Sequence, residues 1–245
     1  EFVIFCIVFA NSAEVFGYIV PSDFIMRMMI DNHKKLNIKD LQIQVTAIYN
    51  NNNDEIDEFF YYKNNERARF QTENSDQPNY VESNNRAFAI NNGNLQEIQL
   101  CDFNLLTKLM FPTGSNIENR SIRILEKLQQ CQIDTETVSL KRYDNSEKIA
   151  YVIGAKAFEK DKPQLWIDRE SFLPIRLIVN VKQGEKLYKK QFNWHQWQSK
   201  QTAGWYPLNT EIYRNDKLTY QATVVEIKRN KKLPDSIFMV LKPEQ

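Results

Sequence analysis

The sequence predicts an α+β fold, mainly β, in which one long antiparallel sheet carries most of the chain. Residues 41–49 alternate apolar and polar side chains, which is typical of a strand with one buried and one solvated face. Further short apolar runs follow at intervals of about ten residues, as in a sheet meander. Because no linker, low-complexity tract or charge block divides the 245 residues, we expect a single domain over residues 14–245.

The first residues of the sequence predict export. Residues 2–10 form an apolar run, and the small or polar residues Asn11, Ser12 and Ala13 follow it. This order matches the apolar core and cleavage region of a secretory signal peptide, so residues 1–13 are expected to be a signal-peptide remnant cleaved near Ala13. A buried strand is the alternative. The run is too short for a membrane span, and we expect a soluble exported protein.

Residues 22–35 predict the first helix, with Ser22 as its N-cap and Asp23 at the positive end of the helix dipole. Its apolar side chains occupy more than one face: Phe24 with Met28, Ile25 with Met29, and Met26 with Ile30. Such a surface is too wide for a helix with a polar half. Either the helix is buried on two sides, or its methionines form an adaptable surface for variable ligands.

The remaining elements follow the same periodicities. Strands are predicted at 41–49, 58–63, 67–72, 86–90 and 95–100, with residues 91–94 as a hairpin turn. Two helices follow, one over 103–111 that stops before Pro112, and one that carries Ile117, Ile122, Leu125 and Leu128. Strands then resume at 137–143, 148–154, 165–168, 174–181, 188–197, 205–214 and 218–229, with residues 215–216 as a tight turn.

Charge and composition disfavour nucleic acid as a partner. Lys and Arg number 32, Asp and Glu number 31, and the net charge is +1. A dense aromatic group in the C-terminal half is therefore expected to pack in the core rather than to stack on bases. This group contains Trp194, Trp197, Trp205, Tyr206 and Tyr213.

The sequence offers no set of residues for catalysis. It contains two histidines, His33 and His195, and no nucleophile elbow, zinc-protease, phosphate-loop or dinucleotide motif. We therefore expect no enzyme activity, no catalytic residues, no metal and no cofactor. Asp144, Asp168 and Glu170 lie in predicted turns and are expected to be solvated.

Two cysteines remain after the predicted cleavage site, Cys101 and Cys131. In an oxidising compartment they can form a disulfide across the helical segment, and they can equally be free buried thiols. Both interpretations stay open at the level of the sequence. Neither cysteine has the spacing of a redox or zinc motif.

Two further segments carry a resemblance to a known family. The sequence L-W-I-D at 165–168 is followed by L-P-I-R at 173–176, and V-V-E-I-K-R-N at 224–230 is followed by L-P-D-S-I-F at 233–238. Together with the alternating strand at 41–49, these segments resemble the LolA/LolB-like lipoprotein carrier superfamily. The likeness spans roughly residues 20–238.

The resemblance implies an incomplete antiparallel β-barrel, or half-barrel, with helices as a lid over a hydrophobic cavity. It implies a monomeric periplasmic carrier for acyl chains of lipoproteins or other lipids, served by a membrane-bound donor or acceptor protein. A half-barrel sensor or scaffold of an envelope regulatory system, similar to RseB, is the alternative.

The resemblance also implies ligand-contact residues on the helices. The expected lipid-binding side chains are Phe24, Ile25, Met28, Met29, Leu105, Leu106, Leu109 and Met110. An arginine is expected near the cavity, with Arg67, Arg69 and Arg176 as the candidates.

Overall fold

A computed structural model describes most of the chain after the N-terminal segment. The described residues are 20–34, 38–50, 54–63, 67–73, 79–83, 86–91, 94–98, 101, 105–110, 116–143, 147–183, 186–197, 199, 202 and 206–239. The predicted signal-peptide remnant, residues 1–13, lies outside them. No helix in this part of the chain combines the length and the apolar character needed to cross a membrane.

Within the described residues the fold has three α-helices, thirteen strands and a closing 3-10 helix. The helices are α1 (Ser22–Lys34), α2 (Leu105–Met110) and α3 (Ile117–Gln130), and the 3-10 helix is Asp235–Phe238. The strands before α2 are β1 (Asp40–Tyr49), β2 (Glu55–Lys63), β3 (Arg67–Thr72), β4 (Tyr80–Ser83), β5 (Arg86–Asn91) and β6 (Asn94–Ile98). The strands after α3 are β7 (Val138–Arg142), β8 (Ile149–Ile153), β9 (Gln164–Asp168), β10 (Pro174–Gln183), β11 (Lys186–His195), β12 (Asn209–Arg214) and β13 (Lys217–Arg229).

All thirteen strands form one open antiparallel sheet. Its order is β6-β5-β4-β3-β2-β1-β13-β12-β11-β10-β9-β8-β7, so the first and last strands pair at the centre. Each half of the sheet is a meander, which explains the regular spacing of turns in the sequence. The sheet is not closed into a barrel, because β6 and β7 stand at opposite edges and the helical segment connects them.

The inner face of the sheet, defined by Leu41, Ile43, Val45 and Ala47 of β1, packs against the helices in the main core. Successive side chains of a strand point to opposite faces, so Gln42, Gln44, Thr46 and Ile48 of β1 belong to the outer face and are half-buried. The predicted alternation of residues 41–49 is therefore confirmed.

Helix α1 is buried on two sides, whereas its Phe24 side chain is exposed. Ile25, Met26 and Met29 are 0% exposed and Ile30 is 3% exposed, and α1 packs against α3. Of the two explanations for its wide apolar surface, burial on two sides therefore holds. The helix starts one residue earlier than predicted, at Ser22 itself, since the Pro21 carbonyl accepts the first helical hydrogen bond, from the N–H of Ile25.

The two cysteines are joined, which settles the choice that the sequence left open. Cys101 follows β6 and Cys131 ends α3, and a disulfide links them with their Cα atoms 5.5 Å apart. Closing a loop of 30 residues stabilises a folded chain by about 3–4 kcal/mol in the chain-entropy account. The bond fixes the end of α3 to the segment that leaves the edge strand β6.

The segment after β13 closes over the outer face of β2 and β3. Asp235 lies 2.5 Å from Lys63 Nζ and 3.0 Å from Arg67 Nη1, and Arg69 Nη1 donates to the Ile237 carbonyl at 2.9 Å. Phe238 is buried at the end of the 3-10 helix. The L-P-D-S-I-F segment is therefore held against the outer face of the sheet by ion pairs and a hydrogen bond.

Predicted and observed elements agree in all but a few places. Strand β4 was not predicted; α2 is described over Leu105–Met110, within the predicted helix, and residues 103, 104 and 111 lie outside the described residues. Asn215 and Asp216 both have positive φ angles, 48° and 64°, as the predicted tight turn between β12 and β13 requires. Trp205 lies outside the described residues.

Candidate functional site

A half-open cavity of about 450 Å³ lies on the inner face of the sheet, where β1 and β13 meet the strands beside them. Its volume falls within the range of small-molecule sites, about 300–1,000 Å³. Most of its wall consists of aliphatic and aromatic side chains. They are Val45, Tyr49, Phe60, Phe70, Leu106, Leu177, Tyr188, Phe192, Trp194, Tyr206, Ile212, Tyr220, Ala222 and Val224.

The strands build this wall through their alternation. On β11, Tyr188, Phe192 and Trp194 lie at alternate positions, and on β13, Tyr220, Ala222 and Val224 do the same. A gap in the packing remains at Ala222, which the sheet register places beside Ala47 on β1. Two small side chains in adjacent positions leave room that larger residues would fill.

A buried carboxyl group lies beside one side of the cavity. Glu58 on β2 is 0% exposed and faces inward. Tyr49 and Tyr220, which both line the cavity, donate their hydroxyl protons to the two Glu58 oxygens at 2.5 and 2.7 Å. Burial raises the pKa of Glu58, although the two tyrosine hydrogen bonds oppose that shift.

The two tyrosines remain donors over the whole working pH range. Burial and the nearby Glu58 carboxylate raise the pKa of Tyr49 and of Tyr220 far above the ordinary tyrosine value. Both hydroxyls therefore stay protonated, and this side of the cavity is polar without a positive charge.

Substitution of Glu58 by Gln is expected to change how stability depends on pH. Because burial raises the pKa of Glu58, the folded protein binds this proton more tightly than the unfolded chain does. The wild type should therefore lose stability relative to Glu58→Gln as the pH rises from about 4 through the folded-state pKa. Urea unfolding of both proteins between about pH 4 and pH 8 measures this difference. A difference that stays constant with pH would show that burial does not control this carboxyl group.

Two cations line another part of the wall. Lys190 on β11 and Arg214 on β12 are directly paired in the sheet register. The Arg214 guanidinium carbon lies 4.0 Å from the centroid of the Tyr188 ring, and Lys190 Nζ lies 5.1 Å from that of Phe192. Cation–π contacts of this kind hold the charged groups against the aromatic wall.

Helix α2 is fixed to the inner face by a buried ion pair. The ammonium group of Lys108 on α2 donates to the carboxylate of Glu82 on β4, and the two side chains are 8% and 1% exposed. Tyr80 Oη also donates to Glu82, at 3.2 Å. This pair holds α2 where its Leu106 side chain reaches the cavity.

The structure places the predicted ligand-contact residues at different depths. Leu106 lines the cavity, whereas Ile25, Met29, Leu109 and Met110 are buried in the main core. Phe24 is 44% exposed and Met28 is half-buried, and the side chain of Leu105 lies outside the described residues. Among the described side chains that line the cavity, Leu106 is the one from a helix. Contact between α1 and a ligand stays a prediction.

The arginine candidates point elsewhere. Arg67 and Arg69 contact the closing segment on the outer face, and the Arg176 guanidinium lies 4.6 Å from the centroid of the Trp166 ring, also on the outer face. The cations that line the cavity, Lys190 and Arg214, were missed. Lys190 lies two residues before Phe192 on β11, and Arg214 lies two residues after Ile212 on β12. This period of two was the sequence signal that places both cations on the inner face.

Two polar residues take structural roles. Asp168 is 9% exposed, so the expectation of a solvated carboxylate was wrong: it accepts from the N–H and hydroxyl of Ser171 and from Tyr143 Oη, at 2.6–2.7 Å. These bonds fix the hairpin between β9 and β10. His195 Nε2 lies 3.3 Å from Glu211 Oε2 on the outer face. Across the described residues, no three His, Cys, Asp or Glu side chains are placed to hold a metal ion.

Comparisons with known proteins identify the fold. No family model matches the sequence, and no curated protein matches it significantly. A LolA superfamily protein from Nitrosomonas europaea is similar in structure, with 14% identity and a TM-score of 0.50 over 91% of this chain and 99% of that one.

Two other solved structures are also similar. A Vibrio parahaemolyticus domain assigned to outer membrane lipoprotein sorting gives 10% identity and a TM-score of 0.48 over 89% of this chain and 97% of that one. A DUF1329 family protein from Desulfovibrio piger gives 10% identity and a TM-score of 0.48 over 90% of this chain and 98% of that one. With its open antiparallel sheet around an internal set of helices, the chain has the LolA-type fold, as the resemblance predicted.

Proposed function

We propose that this protein is an exported carrier that binds the acyl chains of lipoproteins or other lipids in the cavity on the inner face of its sheet. The observation that carries the proposal is the cavity of about 450 Å³ with a mainly aliphatic and aromatic wall. Each methylene moved from water into such a site gains about 0.8 kcal/mol, so an acyl chain has a strong tendency to enter it.

Two further observations support the proposal. The fold is the one seen in a LolA superfamily protein. The Cys101–Cys131 disulfide fits an oxidising compartment such as the periplasm, where a carrier would shield acyl chains from water. A membrane-bound donor or acceptor protein would load or receive the cargo, and the carrier would act as a monomer.

Lipid analysis of the purified full chain tests the proposal. The protein is purified without detergent, extracted with organic solvent, and the extract is analysed by mass spectrometry. We expect acyl lipids in reproducible, near-stoichiometric amounts. Recovery at the level of an exported control protein of similar size, together with no uptake of added fatty acid, would reject the carrier function. An empty protein that retains one membrane partner would favour a sensor or scaffold instead.

A further inference from the structure

We propose that the cavity selects amphiphiles with an anionic head group, which Lys190 and Arg214 bind at the rim while the alkyl chain enters the apolar interior. This inference rests on the proposed function, because it names the class of lipid that the same cavity takes. It concerns the head group, which the apolar wall alone does not specify.

The two cations are placed together by the sheet itself. Lys190 and Arg214 are directly opposed on adjacent antiparallel strands and face the same side, so their charged groups border one stretch of the wall. Arg214 is exposed and Lys190 is half-buried, which puts this stretch at the rim of the cavity. The Tyr188 and Phe192 rings keep both side chains along the wall.

An anionic head group at the rim forms charge-assisted hydrogen bonds with an ammonium or a guanidinium group. The arginine fork suits carboxylate and phosphate oxygens equally well. The head group is therefore defined here as an anion with at least two oxygen acceptors.

The charge distribution also sets the orientation of the ligand. Among the described side chains that line the cavity, Lys190 and Arg214 are the charged ones. Glu58, the buried carboxyl group, stands on β2, separated from them in the sheet by β1 and β13. An anionic head at the Glu58 side would meet a carboxyl group in a low-dielectric site. The head therefore lies at β11 and β12, and the alkyl chain extends toward Val45, Phe60 and Leu106.

Binding of matched single-chain probes to the delipidated full chain tests this inference. The probes are laurate, 1-dodecanol and dodecyltrimethylammonium, which share a twelve-carbon chain and differ in head-group charge. Isothermal titration calorimetry below the micellar concentration should rank laurate first. The variant Lys190→Gln/Arg214→Gln should bind laurate on the order of tenfold more weakly or worse, while its affinity for dodecanol should fall much less.

The control removes one positive charge from the sheet without touching the cavity. Lys182 lies on the exposed outer face of β10, and Lys182→Gln should bind laurate as the wild type does. Equal binding of laurate and dodecanol, or unaltered laurate binding by the double variant, would overturn the anionic head group but leave the carrier function intact. No binding of any probe would reject the carrier function itself.

A fourth probe separates the two sources of the anion. Dodecyl phosphate carries the head group of a phospholipid precursor on the same chain, whereas laurate represents a free fatty acid. If dodecyl phosphate binds more tightly than laurate and the double variant abolishes that binding, the head group is a phosphate. If laurate binds more tightly, the head group is a carboxylate. Either ranking supports the inference as long as the double variant weakens the binding of the preferred probe.

Discussion

Replacement of Lys108 by Met is expected to lower the free energy of unfolding by about 3–5 kcal/mol, a large part of the stability of a typical domain. Lys108 and Glu82 form the buried ion pair between α2 and β4. Removing the ammonium group leaves the Glu82 carboxylate in the interior, where Tyr80 alone cannot replace the lost charge. Urea unfolding at neutral pH measures the change.

A second substitution separates the cost of an isolated charge from the loss of contact. Because an apolar pair of similar volume is often as stable as a buried ion pair, Lys108→Met/Glu82→Leu should recover most of the loss. Lys182→Met on the exposed outer face of β10 serves as the control and should change stability little. Equal effects of Lys108→Met and Lys182→Met would mean that the pair does not hold α2 in place.

Replacement of Ala222 by Trp is expected to abolish lipid recovery and fatty acid binding. Ala222 lies on the inner face of β13 and lines the cavity. A bulky ring at this position occupies the space that an acyl chain needs. Lipid mass spectrometry of the purified variant and calorimetry with laurate measure the effect, and Ala222→Leu should give an intermediate loss.

The matched control for Ala222→Trp is the next residue of the same strand. Thr223 is exposed on the outer face, so Thr223→Trp adds the same ring away from the cavity and should keep wild-type lipid content. Circular dichroism and the melting temperature of each variant show that the fold persists. Retained lipid in a folded Ala222→Trp variant would place the binding site elsewhere.

Much of the sheet was predictable because its strands are exposed on one face and buried on the other. The clearest example is β1, whose alternation specifies both the strand and its inner face. Strand β4 escaped prediction for the opposite reason. Tyr80, Val81 and Glu82 are all buried, so the segment has no alternation to detect.

The cavity was less predictable than the strands that build it. Whether side chains on a curved sheet meet or leave a void depends on long-range packing, and local periodicity carries no such information. The resemblance led us to expect that the helical residues face the ligand; most of the described ones pack in the core, and their contact with a ligand stays a prediction. The sheet supplies nearly all of the described wall, including the rim cations Lys190 and Arg214.

The most direct measurement is the position of a bound alkyl chain. A fatty acid with a diazirine at its tail end is bound to the full chain, photoactivated, and the adducts are mapped by tandem mass spectrometry. The account predicts adducts on inner-facing residues of the cavity wall, such as Val45, Phe60 and Leu106, that excess laurate prevents. Adducts confined to outer-face residues such as Thr223 and Trp166, or adducts that laurate does not displace, would contradict it.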